Sequence, residues 1–329
     1  MRSHPRSSFA PVARGGAGRA RSAIRVGAGR VARTGMELED FADPWEQVRL
    51  LQDRARNDAL LALLERRAAG ARVLEVGTAH GLFACLAAKL GAERVVAVEA
   101  SPLAATARAL VEANGLAGRV EVVEADLLEV DALPGLARGE VDLAFGELLN
   151  ADPFVEGVVE AMEAAAGWLA PGGHLAPGRL RVSVALVADG SPAEVAGARA
   201  EVARLGARGG LVLDPLEALL TPRAPYRSLA PEVTPLAMAP AFTLRLGAGE
   251  APPEETRVRV EAPRALEAGG AAVLFEAELD AGLAWRSGGH FGVLVCGFAA
   301  PLRLAAGEAV ELRVRVDPAD DGIAVEPAR

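Results

Sequence analysis

The apolar and polar positions divide the chain into three stretches with different periods. From about Pro44 to Ala69, apolar residues recur at Val48, Leu51, Ala55, Leu60, Leu61 and Leu64, which predicts a helix. From Arg72 to about Val187, short apolar runs alternate with amphipathic ones. VLEV, VVAVE, VEVVEAD, VDLAFGE and HLAP predict strands. LFACLAAKLGA, PLAATARALVEANG and FVEGVVEAMEAAAGWLA predict the helices between them, the last stopped by Pro171-Gly172-Gly173. This alternation implies an α/β domain, a parallel sheet with helices on both faces. Past Val187, a helix-like AEVAGARAEVARLGA and a proline-rich connector lead into period-2 runs: FTLRLG, TRVRVEA, AVLFEAEL, FGVLVCGF and VELRVRVD. Short strands separated by turn signals predict an antiparallel barrel or sandwich.

At 329 residues the chain has room for two domains, and its 51% apolar content can fill their cores. The formal charge of −9 and pI near 5.2 argue against a dedicated nucleic-acid binder and suit a cationic substrate. Lys89 is the only lysine, so arginine supplies almost all the positive charge; we read this as a coding bias. Cys85 and Cys296 lie in apolar runs and read as buried thiols of a protein in a reducing, cytoplasmic compartment. No Cys/His spacing suggests a metal site, and no apolar run approaches the roughly 18 residues of a membrane span.

Residues 1–36 form a separate, basic segment, expected to be disordered because arginine in a Gly/Ala/Ser background builds no core. It holds eight arginines and no acid; without them the remainder has 27 basic against 44 acidic residues, a net of −17. Three readings stay open: a start codon assigned too early, with Met36 as the true first residue; a solvated basic tail; and a transit-type segment. Its GGAGRAR also looks like an arginine methyl-acceptor sequence.

Candidate chemistry begins where VLEV runs into Gly77-Thr78-Ala79-His80-Gly81 and a helix follows. Glycines at Gly77 and Gly81 let the backbone approach a ligand, and the helix start presents free N–H groups. Glu99 ends the next strand, 22 residues beyond Gly77. A carboxylate there can accept hydrogen bonds from both ribose hydroxyls, which fits NAD as well as S-adenosylmethionine. Glu75 precedes the glycine loop, and Asp126 with Leu127 follows the third strand, where an adenine could be gripped. Each acidic residue could equally be a solvated strand end. A short-chain dehydrogenase would need Tyr-x-x-x-Lys for proton transfer; Tyr226 and Lys89 are the sole tyrosine and lysine and stand far apart in the wrong order.

After the fourth predicted strand come Glu147 and Glu156, nine residues apart. A guanidinium is permanently charged and delocalised, hence a poor nucleophile. Two carboxylates can accept its N–H groups and draw positive charge toward the nitrogens they touch, restoring lone-pair density on the remaining one.

The segment GELLNADPFVEG resembles the protein arginine N-methyltransferase family, in which two glutamates follow the fourth strand at this spacing. Its form is closest to the monomethylating branch, whose loop reads Glu-Leu-Phe-Asp. LLQDRARND is similar to the family's N-terminal helix, SGGHFGVLVCGF to its Thr-His-Trp loop, and WLAPGGHLAPGRLRV to its crossing between domains. The resemblance covers roughly residues 44–328. It implies a Rossmann-like class I methyltransferase domain over residues 37–178 and an antiparallel β-barrel substrate domain over 179–329. A helical dimerisation arm at about 189–221 would make a homodimer. It also implies S-adenosyl-L-methionine as cofactor and arginine in proteins or peptides as substrate.

Residue by residue, the resemblance assigns Glu147 and Glu156 to the substrate clamp and Arg56 to the cofactor carboxylate. Asp53 is assigned to pair with a barrel histidine, here His290, which could accept or relay the released proton. Glu75, Gly77, Gly81, Glu99, Asp126 and Leu127 fall on the cofactor side. Asp53 and Arg56, three apart, are expected on one face of one helix. The chain departs from the pattern in having Leu148, Leu149, Asn150 and Asp152 where the loop commonly carries tryptophan, methionine and tyrosine. Phe291 stands in place of the tryptophan after the histidine, and the tyrosine-rich N-terminal lid is missing. These departures leave two alternatives open: a methyltransferase for an amine or small molecule, and an inactive arginine-binding scaffold.

Overall fold

Two domains of opposite sheet character, one parallel and one antiparallel, joined by only two residues, make up most of the described residues. The computed structural model describes residues 23–26, 29–32, 43–190, 193–209, 226–317 and 322–328. Within the arginine-rich segment, expected to be disordered, β1 (Ala23–Val26) and β2 (Gly29–Ala32) pair antiparallel, with Ala23 opposite Ala32. The β-branched Ile24, Val26 and Val31 and a very short connection favour such a hairpin.

The helix expected over 44–69 is two helices, α1 (Pro44–Gln52) and α2 (Arg54–Arg67). Asp53 breaks them apart: it ends α1, and its carboxylate caps α2 by accepting from the Arg56 N–H at 3.0 Å. An aspartate with non-helical backbone satisfies one free donor of the new helix, which a continuous helix would not require. Leu60, Leu63 and Leu64 of α2 are buried.

Next come β3 (Arg72–Val76), α3 (Leu82–Lys89), β4 (Arg94–Glu99), α4 (Ala104–Ala113), β5 (Val120–Glu124), β6 (Val141–Gly146), α5 (Val158–Ala166) and β7 (Leu169–Ala176). The five strands form a parallel sheet in the order β5-β4-β3-β6-β7. Leu74, Val95, Val96, Leu143 and Ala144 are fully buried, as strands covered on both faces require. The third predicted helix is shorter than its apolar pattern suggests. It stops at Ala166, and Leu169–Ala176 is a strand that runs through Pro171-Gly172-Gly173 instead of ending there. Pairing of His174, Leu175 and Ala176 with β6 outweighs the local breaker signal, at the cost of a register irregularity between Val141 and Leu143.

Pro177 and Gly178 lead directly into the second domain. Its strands are β8 (Arg179–Val187), β9 (Tyr226–Ala230), β10 (Ala237–Arg245), β11 (Glu255–Glu261), β12 (Leu266–Asp280), β13 (Leu283–Arg286), β14 (Val293–Leu304), β15 (Ala309–Asp317) and β16 (Gly322–Pro327), with α6 (Ala193–Gly209) between β8 and β9. One antiparallel sheet runs β10-β8-β12-β14-β9 with β13 on β12, and a second runs β11-β15-β16. Alternating burial along β11 and β15 puts Val258, Val260, Leu312, Val314 and Val316 inside. Of the arm expected over 189–221, α6 is helical and residues 210–225 lie outside the described part. The domains are tied by α2, whose Arg67 donates to Asp280 at the end of β12 at 2.7 Å. That contact holds the Asp280 carboxyl down at about 2.

Candidate functional site

The carboxyl ends of β3, β4, β5 and β6 lie side by side at one edge of the parallel sheet, the place where a doubly wound sheet builds its crevice. After β3 the chain turns through Gly77 to Gly81. Ala79 adopts φ +50°, a left-handed conformation that alanine rarely takes. Its N–H donates to Glu99 Oε2 at 2.7 Å, while the Ser101 N–H donates to Oε1 at 2.8 Å. Glu99 is therefore a buried, oriented acceptor and not a solvated strand end. Both glycines sit at positive φ, +68° and +80°, and a Cβ at Gly81 would also meet the Ala107 backbone, so the loop's own conformation favours glycine at each.

Glu75 is likewise inside. Burial pushes its pKa up to about 8, and the Thr78 hydroxyl donates to it at 2.7 Å. Burial, then the Arg56 charge, lowers His80. Asp126 caps a short 3-10 turn through the Leu128 N–H at 3.1 Å. The Leu127 side chain is buried in the hydrophobic core, so an adenine there would meet its backbone and not a side-chain wall. Its place after the strand and the periodicity of the sequence do not reveal which way the turn points it.

Glu147 follows β6. Its Oε2 accepts from Arg56 Nε at 2.5 Å, and only 12% of the arginine side chain and 8% of the glutamate are exposed. The guanidinium also lies 5.5 Å over the Phe83 ring. Arg56, Glu75, Gly77, Thr78, Phe83 and Glu147 share one cleft. Glu156 stands across the loop, its Oε1 accepting from Asn150 Nδ2 at 2.9 Å. Burial, then the charge of Glu147, raises Glu156 to about 8, with Arg56 pulling the other way. The two carboxylates and the arginine thus form one electrostatically coupled group. Asn150, which the sequence offered only as a missing aromatic, is the residue that orients Glu156.

The capping aspartate faces the barrel. His290 Nδ1 lies 2.7 Å from Asp53 Oδ2, and the His290 N–H donates to the same oxygen at 3.2 Å. Both side chains are almost fully buried, and His290 Nε2 has no protein partner. Asp53 and Arg56 do not share a helix face as expected; the cap points to His290 while the first turn of α2 points to Glu147. Gly289 makes this approach possible: at φ +66°, a Cβ there would lie 2.2 Å from Asp53 Oδ2. The Gly288-Gly289 pair before the histidine was the available signal. Phe291, Trp285 and Phe275 pack in succession behind His290, with centroids 6.2 and 5.4 Å apart.

Chemically, the cleft offers the Arg56 cation, the Glu147 carboxylate and an aromatic wall at Phe83, with Glu99 bonded to the cleft's Ala79 and Glu156 electrostatically coupled to Glu147. This donor set fits a nucleoside bearing both a carboxylate and a positive centre. Among the described residues no His, Cys, Asp or Glu cluster is arranged to hold a metal ion, and no helix is long and apolar enough to cross a membrane.

Residues 74–176 match a family model described as a methyltransferase domain. Over 118 residues the chain is 36% identical to protein arginine N-methyltransferase 1 of Caenorhabditis elegans, covering 36% of this chain and 34% of that one. Over 117 residues it is 44% identical to a ribosomal protein L11 methyltransferase of Pelotomaculum thermopropionicum, covering 35% and 34%. The chain thus spans about a third of the length of these curated relatives. Among solved structures it is similar to the Trypanosoma brucei PRMT1 enzyme–prozyme heterotetrameric complex with AdoHcy. The TM-score is 0.67 at 18% identity, over 84% of this chain and 89% of that one. Sequence likeness is confined to a part of the chain, whereas the likeness of fold spans most of both chains.

Proposed function

We propose that the chain is an S-adenosyl-L-methionine-dependent methyltransferase acting on arginine guanidinium groups of proteins or peptides. The observation that carries this reading is that Glu147 already holds a guanidinium, that of Arg56, beside a second, part-buried carboxylate coupled to it. When bound, the cofactor supplies an electrophilic methyl group on a sulfonium. Arg56 binds its carboxylate and Glu99 its ribose, while Gly77 and Gly81 shape the loop between them. Glu75 stays neutral near pH 7 and adds no charge that would oppose Glu99. Asp126 and the Leu127 backbone bound the adenine side.

Engaging a ligand carboxylate draws Arg56 away from Glu147, which can then accept from the substrate. The arriving cation also favours the ionised form of Glu156, so both glutamates grip the same guanidinium. Held that way, the third nitrogen is oriented for in-line attack. Asp53 holds His290 with Nδ1–H as donor, which leaves Nε2 free to accept the released proton.

The test is transfer of radiolabelled methyl to arginine peptides by wild type, Glu147→Gln and Glu156→Gln. Label on arginine that both variants abolish supports the clamp; label on lysine, or transfer retained by either variant, overturns it. A small guanidino compound is the second reading, favoured by Leu148, Leu149 and Asn150 standing directly after Glu147 where the resembling loop carries aromatic residues. Competition between free arginine and an arginine peptide separates the two. The same loop leads us to propose a monomethylated product, readable by mass. The arm that includes α6, with exposed Leu205, supports a homodimer; a monomer mass in micromolar light scattering would count against it. The free Cys85 and Cys296 fit a reducing cytoplasm.

A further inference from the structure

Between the two glutamates lies a third carboxylate whose contacts all lead away from the cleft. Asp152 is 5% exposed. Its Oδ1 accepts from the Phe154 N–H of its own loop at 3.1 Å. Its Oδ2 faces the barrel, where it accepts from the Ile323 N–H of β16 at 2.8 Å and from the Arg227 guanidinium of β9. Gly322 opens β16 at φ +64°, and a Cβ there would lie 2.0 Å from that oxygen. The approach is therefore built from both sides: an aspartate in the loop and a glycine, at a left-handed position, in the last strand.

We infer that Asp152 is a positioning residue that seats the double-glutamate loop on the C-terminal strand, so that β16 governs where Glu147 and Glu156 stand. This rests on the function proposed above. Apart from the Arg56–Glu147 ion pair, which the proposed function releases when a ligand carboxylate arrives, the polar contacts of the loop are local, Asn150 to Glu156 and Glu147 Oε1 to the Leu149 N–H at 3.2 Å. Those hold its shape but not its place. Leu149, Ala151 and Phe154 are buried, and Phe154 stacks on Phe242 of β10 at 6.2 Å; that apolar contact lets a ring slide where a charge-assisted bond does not. A clamp for a planar cation tolerates little displacement, and a misplacement near 1 Å can cost about a hundredfold in rate. The catalytic loop and the chain's last strand, more than 160 residues apart in sequence, are thereby one unit.

Two variants test this. Asp152→Asn turns an NH2 toward either the Phe154 N–H or the barrel donors, setting donor against donor. Gly322→Ala leaves the aspartate intact and pushes it aside with one methyl. Both should raise hydrogen exchange across residues 147–156 at least about tenfold relative to wild type. Both should also lower kcat at least about tenfold, while cofactor Kd stays within about twofold. Arg303→Ala, an exposed barrel residue paired with Glu267, should change neither. Unchanged exchange in both variants overturns the inference, as does an equal rise in Arg303→Ala. A kcat loss matched by lost cofactor binding also overturns it. If wild type transfers no methyl to arginine, the proposed function falls while exchange alone still decides the anchoring.

Discussion

Neutralising each glutamate of the pair should change stability in opposite directions. Glu156 stands at about 8 in the folded, ligand-free protein against 4.5 for an ordinary glutamate, because burial and the Glu147 charge disfavour its ionised form. Between those values the native state binds a proton that the unfolded state lacks, so stability falls as pH rises through this window. At roughly 1.4 kcal/mol per pH unit, the interval sets an upper bound on the order of 5 kcal/mol above pH 8 and about 2 kcal/mol at pH 6. Glu156→Gln removes that cost and keeps an oxygen for Asn150. It should be more stable than wild type, by a margin that widens from pH 6 to 9.

Glu147→Gln does the reverse. It strips the partner from the nearly buried Arg56, leaving a cation short of its counter-charge, at a cost of about 3–5 kcal/mol. Urea unfolding followed by circular dichroism across pH 6–9 measures both, and both variants should lose methyl transfer. A Glu156→Gln protein less stable than wild type at pH 9, or a margin flat with pH, would refute the coupling of the pair.

Other expectations follow from single contacts. Ala79→Gly relieves a left-handed alanine worth about 1 kcal/mol, partly offset by the added freedom of glycine, so calorimetry should find a higher melting midpoint; a fall would count against the strain. Gly289→Ala drives a methyl onto Asp53 Oδ2 and should lower kcat about a hundredfold, which steady-state kinetics would detect. Asp280→Asn should cost about 1 kcal/mol at neutral pH, once the 43% exposure of Arg67 is allowed for. Because folding depresses that carboxyl to about 2, the wild-type advantage is complete above 3.8 and disappears as pH falls toward 2; denaturant titrations at pH 7 and pH 2 would reveal the difference.

Periodicity made the parallel sheet legible, since strands buried on both faces are written as short continuous apolar runs. The barrel was legible in part. β11 and β15 alternate clearly, and β10, β12 and β14 contain apolar runs that mark them, whereas β8, β9, β13 and β16 emerge only through pairing with neighbours. The strand over Leu169–Ala176 was obscured because Pro-Gly-Gly is a local stop signal that cannot register a waiting edge at β6. Glu147 and Glu156 stood out as a spacing, and the Asp53–His290 contact was legible only through the resemblance.

What the chain determined by itself was the kind of chemistry available: two carboxylates at a set interval, a glycine turn after a strand, an arginine near an aspartate. These are covalent facts about order and charge. Tertiary structure alone decided who faces whom. It set Asp53 against His290, turned Arg56 onto Glu147, and brought Gly322 against Asp152. Such contacts join residues tens to hundreds of positions apart, and their energies come from burial and mutual approach, quantities that exist only once the chain has closed on itself.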